Sequence, residues 1–388
     1  MSQPRAYLDH NATTPLRPEA RAAMVAGLDL LGNASSIHAE GRAARTRIEA
    51  ARDDIAALVG TAAKNVVFTS GATEALNLVL TPDLDLRGQS GFDRLLLGGG
   101  EHSCVLAGHR FAPEAVEILP LTADGSLDLA ALGKALAKGG RALLALQAAN
   151  NETGVIQPVA EAAALVHAAG GAVICDAAQA AGRIACDFTA LPADALALSA
   201  HKFGGPQGAG ALCFAPGAYH IKSMMLRGGG QERGLRAGTE NVAGIMGLAA
   251  ALKAAVQDMP ELSTRLAEWR DAMERRLAEI VPDMTVFGAA APRLPNTSNV
   301  AVPLIEAQVL LMSMDMEGVA ISSGSACSSG KVKRSHVLEA MGVPSAVAQG
   351  AIRVSLGWNS GPQDLAQFEQ AFAKAVRTIK ARQVQPAA

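Results

Sequence analysis

The sequence predicts an α/β protein in which a mostly parallel sheet is covered by helices on both faces, followed by a smaller α+β domain. Through the middle of the 388-residue chain, short continuous apolar runs alternate with helical patterns. Such runs are typical of parallel strands that are buried on both faces. Near Asp258–Pro260 this alternation ends, and a chain of this length commonly forms more than one domain.

Six apolar runs are predicted as strands of the main sheet. The last of them follows its predecessor closely and is expected to run antiparallel. A helix is predicted over Pro158–Ala169, because a proline begins it and Gly170-Gly171 ends it. The six runs are Asn65–Thr69, Arg94–Gly98, Ala142–Gln147, Ala172–Asp176, Ala195–Ser199 and Gly210–Ala215.

The C-terminal part of the chain mixes helices and strands. After Pro260 a long amphipathic helix is predicted, with apolar residues from Leu262 to Ile280 at three- and four-residue spacing. Beyond it, strands are predicted at Thr297–Val302 and Arg353–Leu356, a helix near Ala307–Glu317, and a final helix. We therefore predict a large domain over residues 14–257 and a small domain formed by residues 1–13 and 258–388.

Composition and charge exclude several classes of function. The 34 Lys and Arg residues nearly balance the 36 Asp and Glu residues, so no direct nucleic-acid partner is expected. We find no apolar run of membrane-spanning length and no secretory signal in Met1–Arg5, so we expect a cytoplasmic protein without a membrane partner. The five cysteines include no CxxC pair, which argues against a disulfide framework or a zinc knuckle.

A lysine and an aspartate both lie at the ends of predicted strands. Lys202 follows the strand that ends at Ser199, and Asp176 closes the strand 26 residues earlier. Ligands of open α/β sheets bind at this edge. A lysine that forms a Schiff base and a carboxylate that keeps a pyridine nitrogen protonated are what pyridoxal phosphate requires. A lone lysine is otherwise most often a solvated surface charge.

Three further features suit such a cofactor. Ser70–Thr73 links a strand to a helix, where backbone N–H groups and the Thr73 hydroxyl bind a phosphate. A helix N-cap at Thr73 explains this segment equally well. Ser199 and His201 are placed to join that phosphate site. His102 follows another strand, where a histidine can stack on a flat ring and move protons; a purely structural histidine is the alternative.

Two residues near the C-terminus are candidates for binding substrate or sulfur. Cys327 lies in a Gly/Ser-rich segment, about 321–335, with nearby cations at Lys331, Lys333 and Arg334 that favour a thiolate. The alternative interpretations are that Cys327 is a redox sensor or an exposed cysteine without a function. Arg353 lies on a strand pattern, where its guanidinium would bind a carboxylate if it pointed into a pocket; an arginine on an edge strand is more often a surface residue.

Long motifs resemble those of the NifS/IscS-type cysteine desulfurases, which belong to the class V aminotransferase group of fold-type I pyridoxal-phosphate enzymes. The resemblance runs from Tyr7 to Gly357, and the motifs occur in the expected order. They include YLDHNATTP, FTSGATEALN, ANNETGVIQP, SAHKFGGPQGAG, GGGQERGLRAGTEN and SSGSACSSG. Two departures are His10, where the family usually has asparagine, and Cys104, where it more often has alanine.

The resemblance implies a role for each matching residue. Lys202 would carry pyridoxal phosphate, Asp176 would pair with its ring nitrogen, Gln179 would bind its phenolic oxygen, and His102 would stack on the ring. Asn151 and Arg353 would hold the substrate carboxylate, and Cys327 would accept sulfur from L-cysteine as a persulfide. The phosphate would be bound by Ala72, Thr73, Ser199, His201 and, from the neighbouring subunit of a homodimer, Thr239.

The resemblance implies an iron–sulfur scaffold or another sulfur-acceptor protein as partner, without identifying it. A persulfide-bearing Cys327 is also a candidate for transient ligation of an iron–sulfur cluster, which is the sole metal role expected. Alternatives from other classes are an aminotransferase or selenocysteine lyase of the same fold, a sulfur-delivery or scaffold subunit without catalysis, and a metal-binding regulator. The SSGSACSSG segment argues against a plain aminotransferase, and the joint presence of Lys202, Asp176, His102 and Cys327 argues against a non-catalytic subunit.

Overall fold

The computed structural model describes residues 5–86, 89–217, 219–324 and 334–384. Its strands, in chain order, are β1 (Ala6–Tyr7), β2 (Val66–Thr69), β3 (Leu84–Leu86), β4 (Gln89–Ser90), β5 (Arg94–Gly98), β6 (Val116–Leu119), β7 (Ala142–Gln147), β8 (Ala172–Asp176), β9 (Ala195–Ser199), β10 (Gly210–Phe214), β11 (Tyr219–Ile221), β12 (Thr285–Val286), β13 (Thr297–Ala301), β14 (Val319–Ala320) and β15 (Ala351–Ser355). Its helices are α1 (Pro18–Leu28), α2 (Ala39–Val59), α3 (Ala72–Val79), α4 (Ser103–Leu106), α5 (Leu129–Leu136), α6 (Val159–Ala168), α7 (Val242–Ile280), α8 (Ala307–Met316), α9 (His336–Ala340), α10 (Ser345–Ala348) and α11 (Pro362–Val384).

Seven strands form the main sheet in the order β2-β10-β9-β8-β7-β5-β6. Six of them run parallel to one another, and β10 is antiparallel to both of its neighbours. All six predicted strands are present in this sheet, and the predicted orientation of Gly210–Ala215 is confirmed. The α/β fold class expected from the sequence is therefore confirmed as well.

Helices cover both faces of the main sheet, as the continuous apolar strands predict. Leu144 and Leu146 of β7 belong to one core with α2, α6 and α7. Leu143 and Ala145, which point to the opposite face, belong to a second core with α3. The sheet is thus the middle layer of three, which leaves the ends of its strands as the place for a site.

The predicted start of the long C-terminal helix was wrong. The structure has one continuous helix, α7, with Pro260 inside it. Proline removes one helical hydrogen bond, but the two halves of α7 pack into two different cores. Leu248 and Leu252 lie in a core of the main sheet, whereas Leu266 and Leu277 lie in the C-terminal core. The predicted division at residue 258, which stays a prediction, therefore falls inside one helix.

By length and composition, α7 also meets the requirement for a membrane span, although no apolar run of that length was identified in the sequence. Its apolar residues contribute to the two cores described above. We therefore describe α7 as an internal helix of the fold.

The C-terminal part packs a small sheet against α8 and α11. Strands β12, β13 and β15 form an antiparallel sheet, and β1 pairs with β14. Leu8 joins this core beside Ile352, Phe368 and Phe372. The N-terminal segment therefore crosses from the C-terminal core to the edge of the main sheet, where Asn11, Ala12 and Thr13 lie at the mouth of a cavity.

Candidate active site

The carboxyl ends of β2, β5, β7, β8 and β9 border a cavity of about 640 Å³. This is the edge at which open α/β sheets bind their ligands. Ten of the residues proposed from the sequence line it together: Ala72, Thr73, His102, Asn151, Asp176, Gln179, Ser199, His201, Lys202 and Arg353. The strand positions explain this convergence, whereas the individual roles of the residues stay predictions.

Lys202 lies one short turn beyond β9, at the side of this cavity. Its Nζ donates to the backbone carbonyls of Asn11 at 2.7 Å and Ala12 at 2.9 Å. Burial lowers the pKa of this amine to about 8, and the positive charges of Arg353 and Arg183 act in the same direction. About a tenth of the amine is then neutral at pH 7, far more than for an exposed lysine.

Asp176 is the last residue of β8 and is buried. Its Oδ1 accepts a hydrogen bond from the Ala178 N–H at 2.9 Å. Burial raises the pKa of this carboxyl, while His102 and Lys202 oppose that shift. A carboxylate held in a buried position favours a cationic partner, which fits the protonated ring nitrogen of pyridoxal phosphate.

His102 is the N-cap of α4, and its Nδ1 accepts the N–H of Cys104 at 3.2 Å. This contact assigns the proton of the neutral ring to Nε2. Partial loss of water lowers the pKa of His102; the Asp176 carboxyl opposes this shift, whereas Lys202 and His336 add to it. The ring is therefore neutral at pH 7, which suits stacking on a flat cofactor that already carries a positive charge.

The turn between β2 and α3 has the features of a phosphate site. Gly71 is the N-cap of α3, and no side chain caps the N–H groups of the first helical turn. A Cβ added at Gly210 would lie 2.5 Å from the Gly71 Cα, so this close approach of β10 to the turn requires glycine. The Glu74 carboxylate accepts hydrogen bonds from the Ser70 N–H at 2.8 Å and from Arg236 Nε at 3.0 Å. These two donors offset the negative charge of Glu74 beside the anion site.

Arg353 is buried in the middle of β15, an edge strand of its sheet whose outer side is bridged by Ser322. One terminal nitrogen donates to the Asn151 carbonyl at 2.9 Å, and the other pairs with Asp9 Oδ1 at 2.6 Å. Its Nε has no partner among the described residues. The guanidinium is thus held at the cavity wall by two neighbours, and a bound carboxylate would have to share it with Asp9.

Asn11 has a structural role that we did not assign from the sequence. Its carbonyl accepts both Lys202 Nζ and Gln179 Nε2, the latter at 3.0 Å. Its side chain donates to the Asn151 carbonyl at 3.2 Å and to Thr297 Oγ1 at 3.0 Å. Asn11 lies in the family motif YLDHNATTP, but no local pattern indicates that the Asn11 backbone carbonyl holds the lysine.

Two of the residues proposed from the sequence are not among the cavity residues. Thr239 is exposed and does not line the cavity of its own chain, so its role toward a neighbouring subunit stays a prediction. Cys327 lies outside the described residues. Its roles as sulfur acceptor and as transient cluster ligand therefore stay predictions. Among the residues that the structure describes, no group of three or more His, Cys, Asp and Glu residues could hold a metal ion.

The described residues on either side of Cys327 are attached to the site. Ser322 exchanges backbone hydrogen bonds with Arg353, at 2.6 and 3.1 Å. On the other side, Ser335 donates to the carboxylate of Glu152, the residue next to Asn151. We did not select Glu152 from the sequence, because its importance depends on this contact between distant segments.

Residues 6–368 match the class-V aminotransferase family. The chain is 39% identical to the cysteine desulfurase IscS of Dictyoglomus turgidum, covering 92% of this chain and 91% of that protein. It is 40% identical to an IscS-like cysteine desulfurase of Mycobacterium tuberculosis, with 93% of each chain covered. The chain belongs to the cysteine desulfurases of the class-V aminotransferase family. The resemblance recognised in its motifs is thereby confirmed.

Solved structures agree with this assignment to the cysteine desulfurase family. A NifS-like protein from Rickettsia africae superimposes with a TM-score of 0.86 at 30% identity, covering 96% of this chain and 99% of that one. The structure described as SspA in complex with cysteine superimposes with a TM-score of 0.74 at 28% identity, covering 90% and 98%. The family uses pyridoxal phosphate, which confirms the cofactor expected from the sequence, and the cavity has the lysine, carboxylate and uncapped helix that this cofactor requires.

A pH dependence follows from the environment of Lys202. Capture of pyridoxal phosphate by the apoprotein needs the neutral amine, whose pKa is lowered to about 8. We expect the capture rate to rise roughly tenfold per pH unit below pH 7 and to level off above about pH 9. Stopped-flow absorbance measures this rate, with N-acetyl-lysine methyl ester as the reference amine. An apparent pKa near about 10.4, that of free lysine, would contradict the prediction.

Proposed function

We propose that this cysteine desulfurase removes sulfur from L-cysteine, releasing L-alanine and leaving a persulfide on Cys327. The observation that carries the proposal is the shared cavity of Lys202, Asp176, His102 and Arg353 at the ends of parallel strands. A half-buried amine with a lowered pKa, a buried carboxyl and a neutral histidine provide the acid and base groups for this reaction. The family membership of the chain supports the same reaction.

The residues of the cavity have distinct tasks in this proposal. Pyridoxal phosphate, when bound, stores the electron pair released at the substrate Cα. Asp176 would hold the ring nitrogen in its protonated form. Lys202 would carry the cofactor and, once replaced by the substrate amine, remove the Cα proton. Arg353 and Asn151 would orient the substrate carboxylate so that this proton lies within reach of Lys202.

Sulfur transfer requires a thiolate and a proton donor. The Cys327 thiolate would attack the sulfur of the substrate, so that an S–S bond forms and the Cβ–S bond breaks. The electron pair of the broken bond stays with the carbon, which gains a proton and becomes the methyl group of alanine. His102 would hold or release a proton at Nε2, because its Nδ1 is engaged by the Cys104 N–H.

Anaerobic turnover with L-cysteine and a thiol reductant tests the reaction. We expect alanine and sulfide in equal amounts, because each transferred sulfur leaves one alanine. Selenocysteine is the comparison substrate, and the protein without cofactor is the control. Alanine from selenocysteine but none from L-cysteine would replace the proposal with a selenocysteine lyase. No product from either substrate, with cofactor bound, would favour a sulfur-delivery subunit without catalysis.

We also propose that the active protein is a homodimer in which Thr239 reaches the phosphate of the neighbouring subunit. Leu28, Leu31 and Ile37 are large apolar residues that are mostly exposed, as is typical of a surface that another subunit covers. The segment that contains Thr239 lies beside them, since Gln231 Nε2 donates to Ser35 Oγ at 3.5 Å. Analytical ultracentrifugation giving the 39.7 kDa mass of one chain would contradict the dimer.

The persulfide sulfur has to leave Cys327 before the next turnover, either to a thiol reductant or to an acceptor protein. We propose an iron–sulfur scaffold or another sulfur-acceptor protein as partner, and the cytoplasm as location. The four described cysteines are all free thiols, which is consistent with a compartment where disulfides are rare. A Cys327 persulfide remains our candidate for transient ligation of a cluster during delivery.

A further inference from the structure

A buried arginine without a carboxylate partner lies beside the lysine of the active site. Arg183 is 8% exposed, and its guanidinium donates to four neutral oxygens. One terminal nitrogen donates to the backbone carbonyl of Gln179 at 3.2 Å and to the Gln179 side-chain oxygen. The other donates to the carbonyls of Lys202 at 3.1 Å and His10 at 3.3 Å.

Other buried arginines of the described chain are paired with carboxylates. Arg17 pairs with Asp258, Arg52 with Glu232, and Arg353 with Asp9. No described carboxylate forms an ion pair with Arg183. A buried cation without an anion is unfavourable for folding. Because no carboxylate neutralises it, the positive charge of Arg183 acts electrostatically on the groups around it.

The contact with Gln179 determines which end of that amide points toward the cofactor cavity. Because the guanidinium can only donate hydrogen bonds, the oxygen of the amide must be the atom beside Arg183. The Nε2 group is then directed to the other side, where it donates to the Asn11 carbonyl at 3.0 Å. Gln179 lines the cavity, and its second N–H remains as a donor for an oxygen bound there.

We propose that Arg183 is a positioning residue of the cofactor site, which fixes the Gln179 amide as a donor and keeps an unneutralised positive charge behind Lys202. The inference rests on the proposed function in that it assigns Lys202 and Gln179 to the cofactor. It goes beyond that function by giving a task to a residue that does not line the cofactor cavity.

The electrostatics of the site agree with the geometry. Burial lowers the pKa of Arg183 to about 9, so the guanidinium is still charged at pH 7. Burial is the largest cause of the lowered pKa of Lys202, followed by Arg353 and then Arg183. The charged and titratable groups that act on Lys202 or share its cavity are Arg353, Arg183, Asp176, Asp9, Glu74, His102, His201 and Cys104. Of the two arginines, Arg353 has a carboxylate partner and Arg183 has none.

The test is a pH titration of the holoenzyme, followed by the absorbance of the lysine-bound cofactor without substrate. Arg183→Met and Arg183→Gln both remove the charge, and glutamine keeps an amide that can donate to Gln179. We expect the midpoint pH to rise by about one unit in both, a tenfold change in the acid dissociation constant. Arg183→Lys keeps the charge, and its midpoint should lie within about 0.3 units of the wild type.

Arg17→Met is the matched control, because Arg17 is also a buried arginine near Lys202 but has Asp258 as its partner. Its midpoint should equal that of the wild type. An unchanged midpoint in the cofactor-bound methionine or glutamine variant would overturn the proposal. Loss of cofactor from all three Arg183 variants, with Arg17→Met still loaded, would also overturn it, because lysine preserves the charge.

The pH titration of the Arg183 variants and the turnover experiment with L-cysteine can fail independently of each other. The titration needs bound cofactor but no substrate, so a shifted midpoint supports the role of Arg183 whichever substrate the enzyme uses. If wild-type protein forms equal alanine and sulfide but the midpoint does not move, the desulfurase proposal stands and the Arg183 inference fails.

Discussion

Replacing Lys202 with alanine is expected to remove the covalent attachment of pyridoxal phosphate and to reduce desulfuration by at least roughly 10³-fold. The lysine has two tasks in the proposed reaction, since it carries the cofactor and accepts the Cα proton. Its lowered pKa, about 8, suits both tasks near neutral pH. No other lysine lines the described part of the cavity, so no described amine is placed to take over.

Borohydride reduction followed by peptide mass spectrometry measures the attachment, and the alanine formed from L-cysteine measures turnover. Lys253→Ala is the matched control, because Lys253 is an exposed lysine that pairs with Asp54 on the surface. The control should keep the attachment and the rate. A reduced Lys202→Ala protein that still carries cofactor on another lysine would show that our choice of lysine is wrong.

Replacing Cys327 with alanine is expected to leave cofactor binding intact and to reduce persulfide and sulfide formation by at least roughly 10²-fold. Cys327 is not among the residues that we assign to the cofactor, whereas sulfur transfer requires its thiolate. The described residues on both sides of it contact the site, through Ser322 with Arg353 and Ser335 with Glu152. Described residues that contact Arg353 and Glu152 therefore both precede and follow Cys327 in the sequence.

Mass spectrometry of the intact protein after one anaerobic turnover detects the added sulfur atom, and absorbance measures the bound cofactor. Cys186→Ala is the control, because Cys186 is a free thiol outside the cofactor cavity. A Cys327→Ala protein that forms sulfide at the wild-type rate would refute the persulfide on this residue. Loss of the added sulfur in Cys186→Ala with Cys327 intact would indicate that a different thiol is the acceptor.

Much of the main sheet was predictable because its strands are buried on both faces. Arg94–Gly98, Ala142–Gln147 and Ala195–Ser199 have the bounds predicted from their apolar runs. The long helix was not predictable in the same way, since Pro260 and a change of pattern suggested a boundary there. Burial of both halves of α7 in separate cores compensates for the hydrogen bond that proline removes.

The candidate site was predictable where a residue type and a strand end coincide. Asp176 ends a parallel strand, and Lys202 and His102 come shortly after the ends of two others; the carboxyl ends of such strands meet at one edge. Asn11, Glu152 and Arg183 could not be selected by this reasoning. Each acts through contacts with segments that are distant in sequence or through a backbone carbonyl. The Asn11 carbonyl, for example, accepts a hydrogen bond from Lys202. Neither kind of contact produces a local sequence pattern.

The sequence by itself determined the fold class, the family motifs and the chemistry-bearing residue types at the strand ends, because apolar periodicity and motif order are local properties. Only the tertiary structure decided how those groups ionise. Lys202 is half-buried near Arg353 and Arg183, and the loss of water and these two charges lower its pKa, whereas the Asp176 carboxyl is buried and its pKa is raised. These shifts depend on distances in space between residues far apart in the chain, and electrostatic energy follows those distances and the local loss of water.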